Sequence, residues 1–106
     1  MFSFNKPNFS NSDTVLKAVL EQANPDLIDV RSAEEFAAGS VKGARNIPLP
    51  ELPERLNELD KTKPTILFCL SGNRSGQAVQ FLQNNGFDLL HNGGGWRALA
   101  ALVDEL

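Results

Sequence analysis

The chain's single cysteine, Cys69, closes an apolar run and opens a polar loop. The run reads Pro64-Thr65-Ile66-Leu67-Phe68-Cys69, and the loop reads Leu70-Ser71-Gly72-Asn73-Arg74-Ser75. Branched and aromatic residues bounded by turn formers predict a buried strand. Gly76-Gln77-Ala78-Val79-Gln80-Phe81-Leu82-Gln83 predicts a helix. Strand, cysteine loop and helix in that order set a thiol where backbone N–H groups converge at the positive end of a helix dipole. Such a place favours a thiolate or a bound anion. A free cysteine of pKa about 8.5 is only ~3% thiolate at pH 7. Bringing the pKa to about 6.5 takes roughly 2.7 kcal/mol of differential stabilisation. A helix N-terminus contributes about 0.3–1 kcal/mol, so the loop N–H groups and Arg74 must supply the rest. Gly72 lets the backbone turn its N–H inward. Ser71 and Asn73 add short polar groups, and Arg74 is placed to attract an anionic reactant. A cysteine that merely ends a buried strand is more often inert core; the polar loop and Arg74 turn the reading towards chemistry.

These residues need a scaffold, and the rest of the chain predicts one. Residues 1–11 are polar and turn-rich and predict a loosely held arm with at most a short edge strand. Ser12 or Asp13 can cap a helix over 13–22, with Val15, Leu16, Val19 and Leu20 on one face. Asn24-Pro25 ends it, and Asp26 to Val30 predicts a short strand. Ser32-Ala33-Glu34-Glu35 has the spacing of a capping box, and Gly39 can close that helix. Gly43 to Pro48 reads as a turn and a brief extended piece. Leu52, Leu56 and Leu59 form a stripe on a two-turn helix, with Glu51, Glu54, Arg55 and Glu58 outward. After the helix behind Cys69, Asn85-Gly86 is a turn and Phe87 to His91 a last strand. Gly93-Gly94-Gly95 reads as a flexible turn, and Trp96 to Leu106 as a terminal helix with Leu99, Leu102 and Val103 inward. Alternating strands and helices predict an α/β domain with a mostly parallel sheet covered on both faces. Ligands of such sheets bind beyond the carboxyl ends of the strands. Cys69 and Asp29 both fall there, on one rim.

Composition narrows the function classes. A chain of 106 residues predicts a single domain over 1–106. It carries 10 basic and 13 acidic residues and no long basic run, so no nucleic-acid partner is expected. No apolar window approaches membrane-spanning length and no signal-peptide pattern opens the chain. One cysteine forms no internal disulfide and suits a reducing compartment, so a cytoplasmic location is expected. His91 is the only histidine. With no second cysteine or histidine beside it, neither a metal site nor a cysteine–histidine dyad is expected. The glycine triplet lacks the spacing of a dinucleotide loop. No cofactor is expected.

Three separated segments together resemble the rhodanese-like sulfurtransferase family. The first runs Leu27-Ile28-Asp29-Val30-Arg31-Ser32, then Glu35-Phe36, then Gly39-Ser40-Val41 and Gly43-Ala44 with Asn46-Ile47-Pro48. It is similar to that family's Asp-Val-Arg and Glu-Phe elements and its Gly-His-Ile-x-Gly-Ala-x-Asn-Ile-Pro block. The second, Cys69 to Ser75, resembles the family's Cys-x-x-Gly-x-Arg-Ser active loop. The third runs from Gly86 through Leu90 to Gly93-Gly94-Gly95-Trp96 and resembles the family's last strand and Gly-Gly turn. Ser40 stands where the family often has His, and Trp96 follows the glycines at once rather than after a gap.

The resemblance implies a three-layer α/β/α fold with a five-stranded, mostly parallel sheet. It also implies a catalytic Cys69 that carries a persulfide, with the backbone of Leu70, Ser71, Gly72, Asn73, Arg74 and Ser75 binding the sulfur. The partners it implies are a small anionic sulfur donor such as thiosulfate and a thiol or protein acceptor; the sequence carries no clear oligomer signal, and a monomer is expected. A sulfur carrier or regulatory interaction module with little turnover is the alternative. Tyrosine-type phosphatases use a longer Cys-x5-Arg loop, and the Cys69-x4-Arg74 ring better fits one sulfur atom than a phosphoryl group. Asp29 and Arg31 are candidates for a supporting role, though a strand-end Asp also satisfies loop amides and Arg31 can pair with a carboxylate such as Glu35. Glu35 is expected as the capping partner of Ser32, and Trp96 as a packing residue.

Overall fold

The computed structural model describes residues 7–106, with side chains from residue 13 onward. Helix α1 (Pro7–Gln22) leads into strand β1 (Asp26–Asp29), short helix α2 (Ala33–Ala37) and strand β2 (Arg45–Asn46). Two 3₁₀ turns, Leu49–Glu54 and Leu56–Glu58, precede strand β3 (Thr65–Cys69). Helix α3 (Asn73–Gln83), strand β4 (Leu90–Gly95) and helix α4 (Trp96–Asp104) complete the chain. The four strands are parallel in the order β2-β1-β3-β4.

The sheet is buried on both sides, and β3 shows how its sequence achieves this. All five of its residues are buried. Successive side chains point to opposite faces. Leu67 and Cys69 join Ile28, Val30, Ala78 and Leu82 under α3. Ile66 and Phe68 join Leu16, Leu20 and Leu99 under α1 and α4. A continuous apolar run is what a strand covered on both faces requires. Cys69 therefore ends the central core with its side chain on the α3 side.

Several expectations change. The sheet has four strands among the described residues, not five. The stretch expected to offer an edge strand is helical from Pro7 onward, and residues 1–6 lie outside the described residues. α1 therefore starts ahead of Ser12, with Pro7 at a first helical position where its missing N–H costs nothing. The Leu52/Leu56/Leu59 stripe lies on 3₁₀ turns instead of an α-helix, because Pro50 and Pro53 remove amide donors. Leu52 and Leu59 are still buried as the stripe requires.

The last strand is displaced. Phe87 is held back by its N–H to the Leu82 carbonyl at 3.0 Å and drops into the α3-side core. β4 then runs through the glycine triplet, which is strand and not a flexible turn. Leu67 pairs with Asn92 but Phe68 pairs with Gly94, so Gly93 is the extra residue of a bulge. A Cβ on Gly93 would stand 2.8 Å from Ile66 Cγ2, and one on Gly95 would stand 2.8 Å from the Leu70 carbonyl oxygen. The glycines are there so that β4 can pass against the core and the cysteine loop.

Candidate active site

The loop after β3 folds its own backbone around the Cys69 sulfur. Gly72 takes φ +97°, a left-handed conformation that glycine adopts without strain. This turns the Gly72 N–H onto Cys69 Sγ at 3.0 Å. The Ser75 N–H reaches the same sulfur at 3.4 Å, and the Ser75 Oγ lies 3.4 Å from it. Ser75 is the third residue of α3, and no side chain caps that helix. Cys69 Sγ thus occupies the place of an N-cap oxygen, accepting an N–H that the first turn leaves without a helical partner.

Burial acts to push the Cys69 thiol up. For the ionised sulfur it is outweighed by the hydrogen bonds open to it from the Ser75 hydroxyl and from the N–H groups of Ser75, Ser71 and Gly72, so the thiol titrates below its ordinary value. Cys69 itself is 1% exposed, while Leu70 beside it is 53% exposed. A cleft lined by Ser71, Gly72, Asn73, Asn92, Gly94 and Ala98 opens beside the loop.

Arg74 does not stand free over the loop. Its Nη1 and Nη2 donate to the two oxygens of Glu35 at 2.7 and 3.1 Å, tying the start of α3 to α2. Glu35 does its expected work as well. Its Oε1 accepts the Ser32 N–H at 3.0 Å while its own N–H donates to Ser32 Oγ at 3.1 Å, completing the capping box. The Arg74 guanidinium, then the Ser32 N–H, hold the Glu35 carboxyl at a pKa of about 2, well below its ordinary 4.5. A depressed carboxyl pKa adds stability that is complete above pH 4.5 and is lost as pH falls towards 2. The pair is partly exposed, so solvent screening reduces the effect. Glu35→Gln keeps an oxygen for Ser32 but loses the charge. We expect its melting temperature to fall less steeply than the wild type's between pH 4.5 and 2, as followed by circular dichroism. Parallel curves would show that the pair carries no such linkage.

Asp29 and Arg31 meet each other rather than the sulfur. Arg31 Nε and Nη2 and the Arg31 N–H all donate to the Asp29 carboxylate, the shortest at 2.7 Å. Ser40 Oγ donates to the same carboxylate at 2.7 Å, which gives that serine a defined task. Arg31 Nη2 also reaches the Gly39 carbonyl at 2.6 Å, and the guanidinium lies 4.8 Å from the Trp96 ring centroid. Arg31 therefore pairs with Asp29, not Glu35, and Trp96 packs in the α1/α4-side core. His91 lies on β4 in register with Ile66, where burial pushes its pKa down.

One residue at the loop escaped the sequence reading. Asn92, from β4, accepts the Ser75 hydroxyl at 2.7 Å and donates to the Gly72 carbonyl at 3.1 Å. The signal was faint: a single polar side chain ahead of the glycines, in a stretch that reads as a turn. Among the described residues there is no cluster of three or more His, Cys, Asp or Glu that could hold a metal. None of the described helices is long and apolar enough to cross a membrane.

Comparison with known proteins identifies the family and the fold. The family model described as "Rhodanese-like domain" matches residues 12–102. YqhL of Bacillus subtilis is 48% identical over 66 residues, covering 62% of this chain and 52% of YqhL, so the chain matches about half of that protein's length. The thiosulfate sulfurtransferase PspE of Escherichia coli is 39% identical over 69% of this chain and 72% of PspE. Among solved structures, the human single-domain sulfurtransferase TSTD1 superposes with a TM-score of 0.68 at 32% identity, covering 83% of this chain and 91% of that one.

Proposed function

The chain belongs to the rhodanese-like domain family, and from that premise we propose that it moves a sulfane sulfur from thiosulfate or a related anionic donor through a Cys69 persulfide. The observation that carries the reading is the convergence of the Gly72 and Ser75 N–H groups on Cys69 Sγ at an otherwise uncapped helix N-terminus. The Cys69 thiolate attacks the outer sulfur of thiosulfate. A new S–S bond forms, the bond to the sulfonate sulfur breaks, and sulfite leaves with the electron pair. Cys69–S–S⁻ is held by the N–H groups of the loop, from Leu70 to Ser75, which face the start of the α3 dipole. A thiol acceptor, or cyanide in an assay, then attacks the outer sulfur and Cys69 leaves as thiolate. Arg74 contributes positive potential to the loop while Glu35 fixes its position. The lone thiol suits the reducing conditions of the cytoplasm.

Intact-protein mass spectrometry after thiosulfate treatment tests the reading. The protein is expected to gain the mass of one sulfur atom and to return to its starting mass on addition of cyanide. A folded, reduced protein that gains nothing from thiosulfate or from a persulfide donor would overturn it. Gain of sulfur without release to cyanide or to thiols would instead support the carrier reading.

A further inference from the structure

Ser75 has one hydroxyl proton and two acceptors compete for it. Asn92 Oδ1 accepts the Gly94 N–H at 2.9 Å, and Asn92 Nδ2 donates to the Gly72 carbonyl at 3.1 Å. A backbone N–H can only donate and a carbonyl can only accept, so the amide orientation is fixed. The atom 2.7 Å from Ser75 Oγ is therefore an acceptor with no proton, and Ser75 must be the donor in that bond. With its proton turned to Asn92, Ser75 Oγ can only accept from Cys69. The 3.4 Å contact is then S–H to Oγ, and the resting site is a chain from Cys69 through Ser75 to Asn92.

A thiolate or persulfide has no proton to give, and it needs donors. Gly72 and Ser75 supply two through their backbones. We propose that Asn92 is a positioning residue that holds the Ser75 hydroxyl proton while Cys69 is a thiol and yields it to sulfur when Cys69 is ionised or carries a persulfide. The Cys69 proton goes to solvent, the Ser75 hydroxyl rotates, and no covalent bond of Ser75 changes. Asn92 keeps its bonds to Gly94 and Gly72 throughout, so the loop does not move when the proton does. This rests on Cys69 being the reacting thiol, but its test does not require sulfur transfer.

The test is the pH profile of Cys69 alkylation by iodoacetamide, read in folded protein. Asn92→Ala removes the competing acceptor, so the Ser75 proton is free for sulfur and the midpoint should fall by about half a unit. Asn92→Asp places an anionic acceptor there, so the midpoint should rise by about one unit, close to a tenfold loss of thiolate at neutral pH. In a Ser75→Ala background the Asn92→Ala shift should vanish. Among the described residues, the other charged groups about the loop are Arg74 on α3, paired with Glu35 on α2, Asp29 on β1, paired with Arg31, and Asp13 of α1, which lines the same cleft. All variants keep both pairs, so they form a common background. A scaffold role alone would move both Asn92 variants upward, because loosening Gly72 weakens its N–H to sulfur. Upward shifts in both, no shift in either, or an Asn92→Ala shift that survives Ser75→Ala would overturn the proposal. If Asn92→Asp does not fold, the Asn92→Ala shift and its loss without Ser75 decide the matter alone.

Discussion

Cys69→Ser is expected to lower sulfur transfer by a factor on the order of 10³ or more, with mass gain from thiosulfate falling below detection. The loss is chemical before it is structural. A serine hydroxyl is hardly ionised at neutral pH even beside good donors, and its oxygen forms no stable bond to a sulfane sulfur. The substitution is small, and the Gly72 and Ser75 N–H groups that bond Sγ can bond a hydroxyl oxygen. The change in melting temperature should therefore be slight, which separates loss of the nucleophile from loss of the fold. Thiosulfate:cyanide assays on both proteins, with melting curves alongside, give the answer. Wild-type rates in Cys69→Ser would move the chemistry away from this loop altogether.

The cysteine loop was legible because its information is local. A buried strand, a glycine that turns the backbone and a helix start lie within a few consecutive residues, and each follows from residue type. The capping box at Ser32 and Glu35 was legible for the same reason, since its spacing states the contact. What the sequence left open is long range. Glu35 meets Arg74 across 39 residues, and nothing in either segment says that one carboxylate serves both a helix cap and a guanidinium. Asn92 reaches Gly72 across 20 residues. The glycine triplet misled because glycine marks both turns and close backbone approach. Here the second holds, with Gly95 lying where the Leu70 carbonyl leaves no room for a side chain. The prolines at 50 and 53 are a local signal against an α-helix, since each lacks an amide donor that such a helix would use. Ser40 is intelligible only beside Asp29, as a donor to a buried carboxylate that a parallel sheet places at the same rim.

The pair that Ser40 serves sets the largest expected effect on stability. Asp29 is fully buried and Arg31 is 3% exposed. Arg31→Met keeps much of the side chain's bulk but removes the guanidinium from Asp29, from the Gly39 carbonyl and from the Trp96 ring. Asp29 keeps the hydroxyl of Ser40 and the main-chain N–H of residue 31, two donors for a buried negative charge. Stranding a buried charge in this way costs about 3–5 kcal/mol. Against a total stability of roughly 5–15 kcal/mol, that is a large fraction. The melting temperature should fall by more than roughly 10 °C. Asp29→Asn combined with Arg31→Met removes the stranded charge and should recover much of the loss. If the double variant melts no higher than Arg31→Met alone, the cost lies in packing against Trp96 and not in the charge. The pair bonds to itself and its neighbours rather than to sulfur. The two rim carboxylates then divide the labour: Asp29 holds the end of β1 in the core, and Glu35 holds the cysteine loop through Arg74.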